Sequence, residues 1–142
     1  MKIYIASPLF NEIEKARNVE LKSLLKSFGH EVYLPQEDGG VAFDILKNDS
    51  DAAKVRKEVF ENDIEQIKKC DIMLCVLDGR TLDEGVCLEL GVAYTLGKKC
   101  VGYKTDQRSL DKYGDNLMVE GCLEEIFHSK EEIVKYISSI DR

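Results

Sequence analysis

Four carboxylates in this 142-residue chain stand where their type and spacing could do chemistry: Asp63, Asp83, Glu84 and Glu89. Three of them lie in DEGVCLELGVAYTLGKKC, residues 83–100. Between Gly85 and Gly97 the one charge is Glu89, amid Val86, Cys87, Leu88, Leu90, Val92 and Ala93. A carboxylate taken out of water needs a partner or a task. The structural explanation is a hydrogen bond to a tyrosine or a backbone group. The functional one is a nucleophile or an acid/base group at the ligand-binding edge of a sheet. Gly85 and Gly91 flank Glu89 on neighbouring turns, each costing the helix about 1 kcal/mol against alanine. Close approach by a ligand or another backbone would rationalise that cost. Asp83 and Glu84 open the same helix, where capping and the helix dipole account for an acid. Asp83, just after a predicted strand, is also placed to meet a ligand. Asp63 interrupts the helix before that strand, in FENDIEQIKKC, where an acid is ordinarily solvated.

Positioning these groups takes a framework, and the hydrophobic pattern predicts one. KIYIA (2–6) reads as a strand. Residues 11–29 carry Ile13, Ala16, Val19, Leu21, Leu24, Leu25 and Phe28 at helical spacing, with Asn11 and Gly29 as caps. EVYLP (31–35) reads as a second strand ended by Pro35, and 36–50 as a long loop. A helix is expected over 51–70 and a central parallel strand over 71–79, an almost unbroken apolar run. The helix of Glu89 comes next and is expected to be buried. Then follow a strand at 99–104, a polar loop at 105–116, a short strand in LEEIFHS and a closing helix. Ser129 and Glu132 are spaced as a capping box at the start of that helix. Alternating strands and helices imply a parallel sheet with helices on both faces, in one domain over 1–142. Ligands in such folds bind beyond the carboxyl ends of the strands. The segments to inspect are therefore Ser7–Asn11, Gln36–Gly40, Asp78–Gly85 and Thr105–Asn116.

Composition excludes several classes. Hydrophobic residues make up 44% and charged residues 33%, as expected for a packed core. A formal charge of -7 disfavours a nucleic-acid polymer as partner. The five cysteines are odd in number and lack C-x-x-C spacing. Cys75, Cys87 and Cys100 lie in apolar runs and read as reduced core residues of a cytoplasmic protein. His30 and His128 form no metal-ligand pattern, so no metal or cofactor is expected. MKIYIASPLF does not read as a signal peptide, and no apolar run would span a bilayer. No phosphate-binding glycine loop is present, and SPLFNE after the first strand lacks glycine. Arg80 and Arg108 are single arginines, weak as phosphate ligands; Arg108 and Asp106 read as an ion pair.

D-x-G-x-x-x-E-x-G after an apolar strand, here DEGVCLELG, resembles the nucleoside 2-deoxyribosyltransferase family. IYIASPLFNEIEKARN, LPQED, NDIEQIKKCDIMLCVLDG, KKCVGYKTDQR and DNLM follow in the family's order. The resemblance implies a flavodoxin-like α/β fold of about five parallel strands and an oligomeric enzyme that moves 2-deoxyribose between nucleobases. It implies that Glu89 attacks the anomeric carbon and holds the sugar as an ester. Tyr4 would hydrogen-bond the Glu89 carboxylate. Asp83 would bind sugar hydroxyls and orient Glu89, and Asp63 would help protonate the leaving base. Phe10 would pack on the base. Asn116 would reach the 5′-hydroxyl in a neighbouring subunit's site. Ser7, Gly85 and Gln36 are further substrate-side candidates. The implied partners are 2′-deoxynucleosides and free nucleobases. A C-terminal carboxylate that some members use is not carried over, because this chain ends in SSIDR. The alternatives are a 2′-deoxynucleoside 5′-monophosphate N-glycosidase, for which SPLFNE is a poor phosphate site, and a non-catalytic nucleotide-binding module.

Overall fold

The computed structural model describes residues 1–39 and 52–140. Strands β1 (Lys2–Ala6), β2 (Glu31–Tyr33), β3 (Ile72–Val76), β4 (Lys99–Tyr103) and β5 (Glu125–Phe127) alternate with helices. These are α1 (Glu12–Ser27), α2 (Pro35–Asp38), α3 (Ala52–Lys69), α4 (Glu84–Thr95), α5 (Leu117–Glu120) and α6 (Lys130–Ile140). All strand pairs are parallel, in the order β2-β1-β3-β4-β5. This is the flavodoxin-like doubly wound arrangement, whose winding reverses between β1 and β3.

Strand periodicity assigns each side chain to a face. Ile3, Ile5, Ile72, Leu74 and Val76 point to one side, where they meet Leu21 and Leu25 of α1 and Ile133 and Ile137 of α6. Tyr4, Ala6, Met73 and Cys75 point to the other, against Ile67 of α3 and Val86, Leu90 and Ala93 of α4. Tyr4 therefore faces the helices that carry Asp63 and Glu89. Its fully buried position follows from the alternation that buries Ile3 and Ile5 opposite.

Local signals explain the helix ends. The Asn11 side chain accepts from the Glu14 amide and caps α1. Ser129 and Glu132 exchange backbone-to-side-chain bonds at the start of α6, the reciprocal capping box. The structure departs from the expected elements in places. Strand β2 stops at Tyr33, and Pro35 opens α2 rather than ending a strand, because proline suits a first helical turn. Most of the expected loop over 36–50 lies outside the described residues. Residues 117–120 form the short helix α5. Cys87 is only half-buried, whereas Cys70 joins Cys75 and Cys100 in the core.

The carboxyl edge of the sheet is tied together by Asp78. It accepts from the Thr105 amide and hydroxyl and from the Asp106 amide, and it pairs with Arg17 of α1 at 3.3 Å. Asp106 in turn accepts from the Gly79 amide and pairs with Arg108. Gly79, at φ +130, makes the turn after β3; a Cβ there would lie 2.9 Å from the Thr81 carbonyl oxygen. The loop that leads to Asp83 is thus fixed from β4 and α1. Asp78→Ala is expected to destabilise the fold by on the order of 3 kcal/mol, because it strands Arg17 and two amides together. Arg108→Ala, which removes a solvent-facing partner, should change the urea-denaturation midpoint far less.

Candidate active site

Helix α4 starts at Asp83, whose Oδ1 accepts from the Val86 amide at 2.9 Å. Capping is therefore one role of this acid, and its second oxygen has no protein partner among the described residues. One and a half turns on, Glu89 returns to the sheet side of the helix. The Tyr4 hydroxyl donates to Glu89 Oε1 at 2.6 Å. Tyr33, the register partner of Tyr4 on β2, donates to Asp63 Oδ1 at 2.9 Å. The Tyr4 and Tyr33 rings pack at 5.1 Å. Asn62 donates to the Tyr33 hydroxyl at 2.7 Å. Two carboxylates from two helices thus converge above two tyrosines from two adjacent strands.

Electrostatics follow from the crowding. Burial pushes the Glu89 carboxyl up to about 7; the Tyr4 bond pulls it back, and Asp63 and Asp83 push it further up. Asp63 is raised by burial and lowered by Tyr33. Tyr4 lies far above the usual phenol range, through burial and then the negative charge of Glu89 and Asp63, so it stays a donor. Near neutral pH Glu89 is poised between acid and carboxylate.

The other sequence candidates fall into three places. Ser7 is buried: its hydroxyl donates to Asn18 Oδ1 at 2.5 Å and accepts from Arg17. Gln36 accepts from Asn18 Nδ2 at 2.8 Å. These two residues form the β1–α1 rim through Asn18 and do not touch Glu89. Phe10 is 72% exposed at the same rim. Gly85 lies against the Asp83 carboxylate, where a Cβ would come within 3.0 Å of Oδ1, while a Cβ at Gly91 would meet nothing within 4 Å. Asn116 caps α5 and borders a cleft of about 580 Å³ with Cys87, Leu90, Gly91, Met118 and Cys122. Glu89 is not among the residues that line that cleft. Tyr33, Asn62 and Asn18 were not anticipated. The signal for Asn18 was an uncharged polar residue within the helical run of α1; for Tyr33 it was the alternation of β2, which matches that of β1.

The expectation that α4 is apolar because it is buried needs correction. Val86, Leu90 and Ala93 are buried, but Leu88 is 60% and Tyr94 55% exposed. Periodicity cannot distinguish a face covered by the same chain from one that is not. Among the described residues, no three His, Cys, Asp or Glu side chains are grouped to hold a metal, and no helix is long and apolar enough to cross a membrane.

A model of the nucleoside 2-deoxyribosyltransferase family matches residues 3–130. The chain belongs to this family. A nucleoside deoxyribosyltransferase of Limosilactobacillus fermentum is 27% identical over 124 residues, 83% of this chain and 73% of that protein. A 2-deoxyribosyltransferase of Bacillus psychrosaccharolyticus superimposes with a TM-score of 0.78 at 30% identity, over 94% of this chain and 90% of the other. A conserved protein of Enterococcus faecalis V583 gives 0.77 at 28%, over 98% of both chains. A CMP N-glycosidase of Clostridium botulinum gives 0.61 at 17%, over 97% and 99%, which is a likeness of fold. The family is one of enzymes that transfer deoxyribosyl groups.

Two predictions come from the site. Glu89 protonates near pH 7 in the folded chain but ionises near 4.5 when unfolded. The wild type therefore loses stability as pH rises from about 4.5 to 7, and the loss is then constant. Glu89→Gln, which still accepts from Tyr4, should be more stable above pH 7 by on the order of 2–3 kcal/mol and nearly equal at pH 4, as read from denaturation at both pH values. Tyr4→Phe removes the bond that lowers the Glu89 pKa. Turnover at pH 7 should fall and recover in part at pH 8–9, visible as an upward shift of the acidic limb of kcat/KM.

Proposed function

We propose that this protein transfers 2-deoxyribose between nucleobases by double displacement through a deoxyribosyl ester of Glu89. The observation that carries the proposal is the Tyr4–Glu89 bond beside Asp63: a desolvated carboxylate, aimed by a phenol, next to a second group that can hold a proton. In the first half-reaction a Glu89 oxygen bonds to C1′ and the C1′–N bond breaks. Its electron pair leaves with the base, and Asp63 supplies the proton. In the second half-reaction an acceptor base attacks C1′, Glu89 leaves as carboxylate, and Asp63 takes the proton back. Asp83, through the oxygen not spent on the cap, binds the sugar hydroxyls. Gly85 lets the helix start approach the sugar, and Phe10 stacks on the base. Ser7 and Gln36 shape the rim of the pocket through Asn18.

The substrates are unphosphorylated 2′-deoxynucleosides and free bases. The carboxyl edge supports this, because Arg17 is committed to Asp78 and Arg108 to Asp106, while the negative charge of Asp63 and Asp83 bears on Glu89. A 5′-monophosphate would meet carboxylates without a free counter-charge on those arginines. The working unit is an oligomer in the cytoplasm. Exposed Leu88 and Tyr94 on α4 and Leu117 and Met118 on α5 support association, and in that reading Asn116, beside Met118 at the cleft, completes a neighbouring site.

The test is base exchange. With 2′-deoxyinosine and adenine, 2′-deoxyadenosine should form much faster than free deoxyribose appears. Glu89→Ala should lower exchange by about 10³-fold or more while leaving the circular dichroism spectrum unchanged. Release of deoxyribose at the same rate with and without adenine would instead make water the acceptor. Cleavage restricted to 5′-monophosphates would select the N-glycosidase.

A further inference from the structure

We infer that Tyr33 and Asn62 are positioning residues that determine which oxygen of Asp63 carries the transferable proton. The inference deepens the proposed function and rests on Asp63 acting as the acid for the leaving base. The Asn62 amide nitrogen can only donate, and it donates to the Tyr33 hydroxyl oxygen at 2.7 Å. The Tyr33 proton is thereby directed onward, to Asp63 Oδ1 at 2.9 Å. An oxygen that accepts from a phenol at that distance is the acceptor oxygen of the carboxyl group. When Asp63 is protonated, the proton therefore sits on Oδ2, which has no protein partner among the described residues.

The same arrangement recurs one strand over. Tyr4 holds Glu89 Oε1 and leaves Oε2 without a protein bond among the described residues. The two tyrosines are register partners on β1 and β2, with rings 5.1 Å apart and tilted by 35°. Both are buried, Tyr4 at 0% and Tyr33 at 7% exposure, so neither phenol has a free choice of partner. One tyrosine orients the oxygen that bonds to C1′; the other orients the oxygen that gives its proton to the departing base. The groups that face Asp63 are Tyr33 from β2, Tyr4 from β1 and Glu89 from α4, with Asp83 acting on Glu89 and Asp38 on Tyr33. Tyr33 donates to the ionised carboxylate and so offsets burial, which keeps Asp63 able to both give and regain a proton in one cycle.

Tyr33→Phe keeps the ring against Tyr4 and removes the donated bond. Two readouts test it. The first does not require turnover: the Asp63 carboxyl carbon is titrated by ¹³C NMR, assigned against Asp63→Asn. Its midpoint should rise by about one pH unit in Tyr33→Phe. The second compares donors that differ only in the acidity of the leaving base. For an unactivated base, kcat/KM should fall by about 10- to 100-fold. For an electron-poor base such as 5-nitrouracil, which leaves with little protonation, the loss should shrink to about threefold or less. Asn62→Ala, a change on the half-exposed side of α3, should move both readouts the same way by a smaller amount. An unchanged Asp63 midpoint, or an equal loss for both donors, would overturn the inference and leave Tyr33 as packing. A wild type that exchanges no base with either donor would refute the acid role itself, and with it the proposed function, whatever the titration shows of the Tyr33–Asp63 bond.

Discussion

The hydrogen bond from Tyr4 to Glu89 links the buried sheet to the candidate active site. Its donor stands on β1, at a position that the alternation of Ile3, Tyr4 and Ile5 buries completely. Its acceptor comes from a helix whose start is set by the Gly79 turn and the Asp83 cap. The bond exists because β1 and β3 are neighbours in the sheet order and α4 packs over both. A tyrosine in a strand is rigid and cannot follow a wandering carboxylate. Placing α4 correctly is therefore the main demand on the rest of the fold, and the Asp78 clasp to Thr105, Asp106 and Arg17 holds the loop that does so.

The same bond moderates a conflict. Glu89, Asp63 and Asp83 gather negative charge in a site that burial makes inhospitable to it. Asp63 and Asp83 both raise the cost of ionising Glu89. Phenols that donate to two of them return part of that cost without introducing a cation. A lysine or arginine in place of Tyr4 would favour the carboxylate more strongly and make Glu89 a weaker nucleophile. On the proposed function, the site trades stability for reactivity, a familiar compromise at catalytic centres.

Much of this was legible in the sequence, and the gaps have physical causes. The apolar run at 71–79 identified the central strand β3, because a strand covered on both faces tolerates little else. The isolated charge in α4 singled out Glu89, an acid among apolar neighbours, and the structure gives it the Tyr4 hydrogen bond. Helices α2 and α5 were missed, since four residues are too few for a helical period to show. The solvent face of α4 was misjudged, because an apolar pattern reports a need for cover and not its source. Tyr33 and Asn62 were missed because their value lies in a register between strands and a helix crossing, which a linear pattern does not contain. The capping box of α6 was legible because both partners lie within four residues of each other.

The most direct test of the central claim is to look for the covalent ester. The protein is mixed with a 2′-deoxynucleoside in the absence of acceptor, quenched in acid, and followed by intact-protein and peptide mass spectrometry. The account predicts a gain of one deoxyribosyl group, located on Glu89 within the peptide of α4, absent from Glu89→Gln and lost on adding a free base. Exchange of bases by the wild type with no adduct under any quench, or an adduct on another residue, would contradict it.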